Sequence, residues 1–405
     1  MFNRPQLPTR RFTAGVAQLL CVAVALTACG GGGSDSSSAS TDTATAYAAG
    51  PITGFGSVIV NGVRFDDSAA RITDDDGATH NSGELKLGMM TEVDGADVKA
   101  DALGASHGRA LAIRFGSEIV GPVSAVSVTA KTLTVIGQTV DVTDNTLFDD
   151  GITGGLAGIA VGNVLEVHGV LDATTGHYTA TRVELEPNAL FFKVRGIIAS
   201  LNTTAKTFSI GGAPISYAGL LAADLPATTL ANGQLVRVKL QTTQVAGAWV
   251  ATRIGTGLRK VENREHAEVR GLITAFTSAT QFSVNGIVVD ASNAVFPKGQ
   301  AGVVLGARVE VEGKAVDGVI VATKVSTESE REDHVRGFEL HGSITTIDTT
   351  LKTFVLRGVT VSYTGAVVYK DGTETNLIVG AKVEVKGLLG ADGKTLTAVS
   401  IEFEK

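Results

Sequence analysis

The chain has few of the residues that stabilise small exported domains or bind metals. Its 405 residues include only two cysteines, Cys21 and Cys29, both near the N-terminus. The rest of the chain can therefore form no internal disulfide and no thiolate metal site. Aromatic residues make up only 5%, whereas glycine is abundant and Val, Ile and Thr recur in short runs between turn residues. This composition predicts an all-β chain, and its length predicts several domains, because single cores rarely exceed about 300 residues.

Basic charge is scarce as well. Without the three arginines of residues 1–28, the chain keeps 31 basic residues against 41 acidic ones, a net charge of −10. Nucleic-acid binding needs clustered lysine and arginine that displace counterions. We therefore expect no nucleic-acid partner.

Catalytic and metal-binding motifs are missing too. The sequence contains no Gly-x-Ser-x-Gly elbow, no phosphate-binding Walker loop and no His-Glu-x-x-His spacing. His168 falls on the polar face of its strand, so we expect it to be solvated. The run Asp74-Asp75-Asp76-Gly77 lacks the ligand spacing of a calcium loop and is expected to be a solvated turn. We predict no enzyme, no catalytic residues, no metal site and no cofactor.

The N-terminus has the pattern of an export signal. A basic start is followed by the apolar stretch VAQLLCVAVAL and then by Leu26-Thr27-Ala28-Cys29. The last four residues resemble the lipobox of bacterial lipoproteins. This resemblance implies cleavage before Cys29, acylation of Cys29 and a partner in membrane lipid, since several acyl chains anchor a protein stably. The alternative is an ordinary secretory peptide that ends at Cys29.

The segment after Cys29 predicts a disordered tether. Residues 30–49 are mostly Gly, Ser, Thr and Ala, and have almost nothing to bury. Gly30 follows the cysteine, and the familiar sorting rule would need an aspartate there for retention at the inner membrane. We therefore expect an anchor in the cell outer membrane, with the body either periplasmic or exposed at the surface.

The remaining chain repeats one module five times. A glycine that precedes an apolar strand start recurs at intervals of 71 to 75 residues, at Gly50, Gly121, Gly196, Gly271 and Gly342. We predict the following segments: signal peptide 1–28, tether 29–49, repeat 1 at 50–117, repeat 2 at 118–187, repeat 3 at 194–256, charged linker 257–268, repeat 4 at 269–327, charged linker 328–339 and repeat 5 at 340–405. The charged linkers predict solvated connectors or lead-in strands, and with them a string of separate beads or a semi-rigid rod.

Each module offers about five strands. Segments such as TQFSVNGIVVD alternate, break at a glycine-containing turn and resume, which indicates a β-hairpin. In GARVEVEG, Val309 and Val311 share one face, and Glu310 and Glu312 share the other. A sheet with one wet face must close or pack on itself. We predict five small five-stranded barrels of the oligonucleotide/oligosaccharide-binding (OB) type, with a small sandwich as the alternative.

Taken together, the GFGSVIVNGVRF segment from Gly54 to Phe65, the VEVEG-type strands and the closing ATR strands resemble a known family. It consists of bacterial lipoproteins with tandem copies of a domain of unknown function, DUF5666. The resemblance covers residues 50 to 403. It implies an exported, repeat-built protein and carries over no catalytic residues.

One repeat differs in charge from the others. Repeat 3 holds five basic residues against Asp224 alone, a local charge of +4. Arg237 and Lys239 take outward strand positions that are acidic in repeats 1 and 4, and Trp249, the only tryptophan, follows. Such a face is suited to an anionic glycan, a lipopolysaccharide or a neighbouring acidic module. We take Arg237, Lys239 and Trp249 as candidate ligand-binding residues; the alternative is drift among repeats.

The sequence thus favours a non-enzymatic cell-envelope lipoprotein that acts as a structural or interaction array. Binding of an extracellular anionic ligand such as a polysaccharide at repeat 3 is the second hypothesis. Besides membrane lipid, we expect the chain to have an envelope protein or an anionic glycan as its partner.

Overall fold

A computed structural model describes residues 44–100, 105–257, 261–327 and 337–404. The predicted signal peptide, Cys29 and the tether as far as residue 43 lie outside these residues. Within them the protein is all-β, with 29 strands, and its helical segments are single 3₁₀ turns of three or four residues. No helix of the described residues has the length and apolar character needed to cross a membrane. The described residues belong to one compact unit, Asp42–Lys405.

The first two repeats contain thirteen strands. Repeat 1 has β1 (Ala46–Phe55), β2 (Val58–Val60), β3 (Val63–Asp66), β4 (Arg71–Thr73), β5 (Thr79–His80), β6 (Met90–Ala100) and β7 (Ser106–Phe115). Repeat 2 has β8 (Ile119–Ser127), β9 (Thr132–Val135), β10 (Gln138–Asp141), β11 (Leu147–Phe148), β12 (Val164–Leu171) and β13 (Tyr178–Leu185).

The other three repeats contain sixteen. Repeat 3 has β14 (Phe192–Asn202), β15 (Thr207–Ile210), β16 (Ala213–Ser216), β17 (Leu235–Val245) and β18 (Ala248–Thr256). Repeat 4 has β19 (Arg264–Ser278), β20 (Gln281–Val284), β21 (Ile287–Asp290), β22 (Arg308–Val316) and β23 (Val319–Thr327). Repeat 5 has β24 (Phe338–Asp348), β25 (Thr353–Leu356), β26 (Val359–Ser362), β27 (Val368–Lys370), β28 (Lys382–Leu389) and β29 (Leu396–Phe403).

Each repeat closes into a five-stranded barrel. In repeat 3, β14 pairs antiparallel with β15, β15 with β16, β17 with β18, and β17 with β14, while β16 and β18 run parallel. The same ring of four antiparallel pairs and one parallel pair occurs in the other four repeats. This ring has the strand order 1-2-3-5-4 of an OB barrel, so the predicted fold class is confirmed.

Alternation along the strands explains why the sheets close. In β22, Val309 and Val311 are fully buried, whereas Glu310 and Glu312 remain partly exposed on the other face. At the turn from β20 to β21, Asn285 and Gly286 both adopt positive φ values, 50° and 86°. A two-residue turn of this kind matches the twist of paired strands, as the hairpin prediction requires.

The repeats do not form separate beads. Strand β1 of repeat 1 runs parallel to β19 of repeat 4 over Ala46–Ala49, and parallel to β24 of repeat 5 at Gly54 and Phe55. One continuous sheet therefore joins repeats 1, 4 and 5, and a second joins repeats 2 and 3 through β8 and β14. The predicted string or rod is wrong, because the first strand of each barrel also pairs with the first strand of another repeat.

Strand β1 begins four residues before the predicted start of repeat 1. Tyr47 and Ala49 face the core of repeat 4, while Ala48 and Ile52 face the core shared by repeats 1 and 5. The small apolar residues at the end of the predicted tether are thus buried between two barrels. The predicted linker at 257–268 likewise ends inside β19, which begins at Arg264.

Candidate functional site

Two of the three candidate residues lie together on the outside of repeat 3. Arg237 and Lys239 alternate along β17 with Val236 and Val238, which are fully buried. Trp249 does not lie on this outer face. Its side chain is only 8% exposed in the barrel core, where it meets the Phe192 ring edge-on at 5.5 Å.

The two cations contact an acidic loop of repeat 1. Arg237 Nη1 lies 2.7 Å from Asp75 Oδ2, and Lys239 Nζ lies 3.1 Å from Asp76 Oδ2. Lys193 Nζ also reaches Asp75 Oδ2, at 3.0 Å. The basic face of repeat 3 therefore packs against a neighbouring acidic repeat of the same chain, one of the partners that its charge suits.

The loop of repeat 1 is a turn, as expected, but it is not fully solvated. The Asp74 carboxylate accepts hydrogen bonds from the backbone N–H groups of Asp76 at 3.0 Å and Ala78 at 2.8 Å, which fixes the turn. The Asp75 side chain is only 6% exposed. The expectation of a solvated turn is therefore wrong for Asp75, because the two cations from repeat 3 cover it.

Between repeats 1 and 3 lies an open cleft of about 550 Å³. Its walls carry six basic residues, Arg71, Arg114, Lys193, Arg237, Lys239 and Arg253, against five acidic ones, Asp74, Asp75, Asp76, Glu92 and Asp94. Arg71, on β4, and Arg253, on β18, are exposed and form no ion pair within the described part of the chain. No signal in the sequence links Arg71 to Arg237 and Lys239, since Arg71 belongs to another repeat.

A second charged junction joins repeats 1 and 5. Arg64 of repeat 1 forms an ion pair with Glu339, and Arg64 Nη2 lies 3.5 Å from Glu384 Oε1. His341 Nε2 lies 2.7 Å from Glu339 Oε1, and its Nδ1 lies 3.3 Å from Glu404 Oε1.

Burial opposes the charge on His341, but hydrogen bonding to Glu339 and the charges of Glu384 and Glu339 outweigh it. They raise the pKa of His341 above its usual value. Burial also acts to raise the pKa of Glu339, yet the hydrogen bond from His341 and the charges of Arg64 and Lys386 lower that pKa overall.

Glu339, His341 and Glu384 are also close enough to share a metal ion, because one ligand atom from each lies within 4.8 Å of the others. Arg64 bonds to Glu339 and lies beside Glu384, and Lys386 Nζ lies 3.1 Å from Glu384 Oε1. Side-chain cations already compensate both carboxylates. This arrangement favours an ion-pair network over a metal centre.

His168 is buried, and the expectation of a solvated residue was wrong. Its side chain is fully enclosed, with Nδ1 3.1 Å from the Gly116 carbonyl oxygen and 3.4 Å from the Met90 backbone nitrogen of repeat 1. Burial lowers the pKa of His168 and so favours the neutral ring, in which Nδ1 can either donate to the Gly116 carbonyl or accept from the Met90 N–H, but not both. The outward face of β12 is polar in pattern but lies under repeat 1, which strand periodicity within one repeat cannot reveal.

The fold and its charged junctions define a class of protein, a repeat-built array of OB-type barrels. The model of DUF5666, a domain of unknown function, matches residues 120–184, 195–255, 270–326 and 341–402. These matches cover more than half of the chain, so the chain belongs to the DUF5666 family. Repeat 1 lies outside the four matches and has the same ring of paired strands.

Other comparisons add little. No curated protein matches the chain. One similar solved structure, the Drosophila protein described as Unr CSD456, is 12% identical, with 54% of this chain and 98% of that chain covered. Its TM-score is 0.14, too low to bear on the fold or the function of this chain.

Proposed function

We propose that this chain is a non-enzymatic cell-envelope lipoprotein, held in the outer membrane by acylated Cys29, whose five barrels form a structural or interaction body. The observation that carries the proposal is the backbone pairing of β1 with β19 and β24, which joins repeats far apart in sequence. Such pairing fixes the repeats against one another and presents their outer surfaces as one unit. The proposed partners are membrane lipid and other envelope components.

The use of charged groups supports a role without catalysis. Asp75 contacts both Lys193 and Arg237 across the repeat 1–3 junction, and Arg64 contacts Glu339 across the repeat 1–5 junction. Groups held in such pairs stabilise packing, whereas acid–base catalysis requires groups that can reach a substrate.

The lipid anchor is tested by replacing Cys29 with alanine in the full chain. We expect the native protein to incorporate labelled palmitate and to sediment with outer membranes, and Cys29→Ala to lose both properties. Cys21→Ala is the matched control, because Cys21 lies within the apolar stretch that precedes cleavage; it should behave as the native chain. Unchanged labelling and fractionation of Cys29→Ala would refute the anchor.

Binding of an anionic ligand at repeat 3 is the second candidate function. The open cleft beside Arg237 and Lys239 favours it, since pockets of about 300 to 1,000 Å³ are typical of small-ligand sites. Arg237 and Lys239 pair with Asp75 and Asp76, so their role in this function would be to stabilise the wall of the cleft. The buried position of Trp249 gives it a part in the core of repeat 3.

A further inference from the structure

The walls of the repeat 1–3 cleft carry a surplus of positive charge. Two of its five carboxylates are engaged by groups that do not line the cleft: Asp94 by Arg264, at 2.7 Å, and Asp74 by His80, at 3.3 Å. Within the cleft, Asp75 is shared by two cations, Asp76 pairs with Lys239, and Glu92 lies 3.4 Å from Arg114. Six cations thus line the cleft, and three of its carboxylates, Asp75, Asp76 and Glu92, pair with four of them.

Arg71 and Arg253 hold most of this surplus. They come from opposite walls, β4 of repeat 1 and β18 of repeat 3, and both side chains are exposed. Arg253 is directly opposite Lys239 in the register of β17 and β18, so like charges adjoin on that wall. An anion placed between the walls would relieve this repulsion.

We propose that the cleft binds an anionic saccharide, a sugar unit that carries a carboxylate or a phosphate, with Arg71 and Arg253 as its direct contacts. This inference rests on the second candidate function and names its ligand class and residues. A guanidinium suits such anions because it presents parallel N–H donors to two oxygens at once. Thr73 and Thr256, which also line the cleft, add hydroxyl groups of the kind that bind sugars.

The cleft is better suited to a saccharide than to a nucleic acid. Single-stranded nucleic acids bind OB barrels by stacking bases on exposed aromatic rings. The aromatic ring that lines this cleft is Phe191, and Lys239 Nζ lies 3.4 Å from the centre of that ring. Lys239 therefore covers one face of Phe191, and a base cannot stack on that face.

Arg71 and Arg253 can be tested apart from the residues that hold the junction. The full chain, purified in an uncharged detergent, is titrated by calorimetry with trigalacturonate for the carboxylate and mannose 6-phosphate for the phosphate. Maltotriose is the neutral sugar control, and hexathymidylate tests the nucleic-acid alternative. The variants are Arg71→Gln/Arg253→Gln, the charge-conserving Arg71→Lys/Arg253→Lys, and the matched control Lys314→Gln/Lys382→Gln, which removes two charges from outside the cleft.

We expect saturable binding of at least one anionic sugar and none of maltotriose. The glutamine pair should weaken that binding at least about tenfold, the lysine pair less, and the control pair not at all. All variants should keep the native melting temperature, since neither arginine holds a junction. Three results would overturn the proposal. They are no binding of either anionic sugar, equal binding by the native chain and the glutamine pair, and binding of hexathymidylate in place of the sugars. None of these results would affect the separate test of the Cys29 anchor.

Discussion

Repeat 1 meets repeats 3 and 5 through junctions of opposite polarity. Towards repeat 3 it offers carboxylates, and Asp75 is enclosed by Lys193 and Arg237. Towards repeat 5 it offers a cation, Arg64, which meets carboxylates that also surround a histidine. Repeats with the same type of barrel core therefore differ in their outward residues, so that each face of repeat 1 fits one neighbour.

The largest expected effect is at the repeat 1–3 junction. Asp75→Asn removes one charge between two cations, of which Lys193 is only 8% exposed. Removing the counter-charge of the buried Lys193 should cost about 3 kcal/mol of the free energy of unfolding, measured by urea denaturation. The matched variant Asp76→Asn breaks a pair whose side chains are 38% and 31% exposed, and should cost less than about 1 kcal/mol. Equal losses for the two variants would mean that burial does not set the strength of this junction.

The next effect is steric and lies at the repeat 1–5 junction. A Cβ added to Gly56 would lie 2.2 Å from His341 Cβ, and the φ of 129° is one that other residues rarely adopt. Gly56→Ala should therefore cost about 2 kcal/mol in the same assay. Gly62→Ala is the control, since its φ is also positive but no atom lies within 4 Å of the added Cβ. A Gly62→Ala loss as large as that of Gly56→Ala would place the cost in the backbone alone.

The smallest effect distinguishes the junctions by pH. The folded-state pKa of His341 is raised, so its stabilisation is complete below the unfolded value near 6.5 and is lost as pH rises through the folded value. His341→Gln should remove this loss. Burial and the nearby charge of Glu310 raise the pKa of Glu268 to about 9, which also lowers stability as pH rises. The difference between the native and His341→Gln profiles isolates the histidine, and identical profiles would contradict its role.

Much of the fold could be predicted because it depends on local pattern. The alternation around Val309 and Val311, the hairpin at Asn285-Gly286 and the spacing of the repeats predict one barrel per module. How the barrels meet depends on residues far apart in sequence. The outward faces look polar in every copy, so the sequence does not show which of them meet. Only the three-dimensional arrangement pairs Asp75 with Arg237 and buries His168 under repeat 1.

The candidate site was predictable in part for the same reason. The +4 charge of repeat 3 and the acidic run at Asp74–Asp76 are complementary, and this signal indicates an acidic neighbour as a partner. Trp249 carries no such signal, since a tryptophan suits a barrel core as well as a binding face. Arg71 could not be assigned to the cleft without knowing that repeats 1 and 3 are in contact.

The pairs that repeat 1 makes with its neighbours join the five barrels into one body. Small-angle X-ray scattering of residues 42–405, the compact unit, can measure whether they do so in solution. A single body of this length should have a radius of gyration of about 21 Å, whereas five barrels in a row would give about 40 Å. We expect a radius of gyration near 21 Å; a value near 40 Å would mean that the barrels do not form one body.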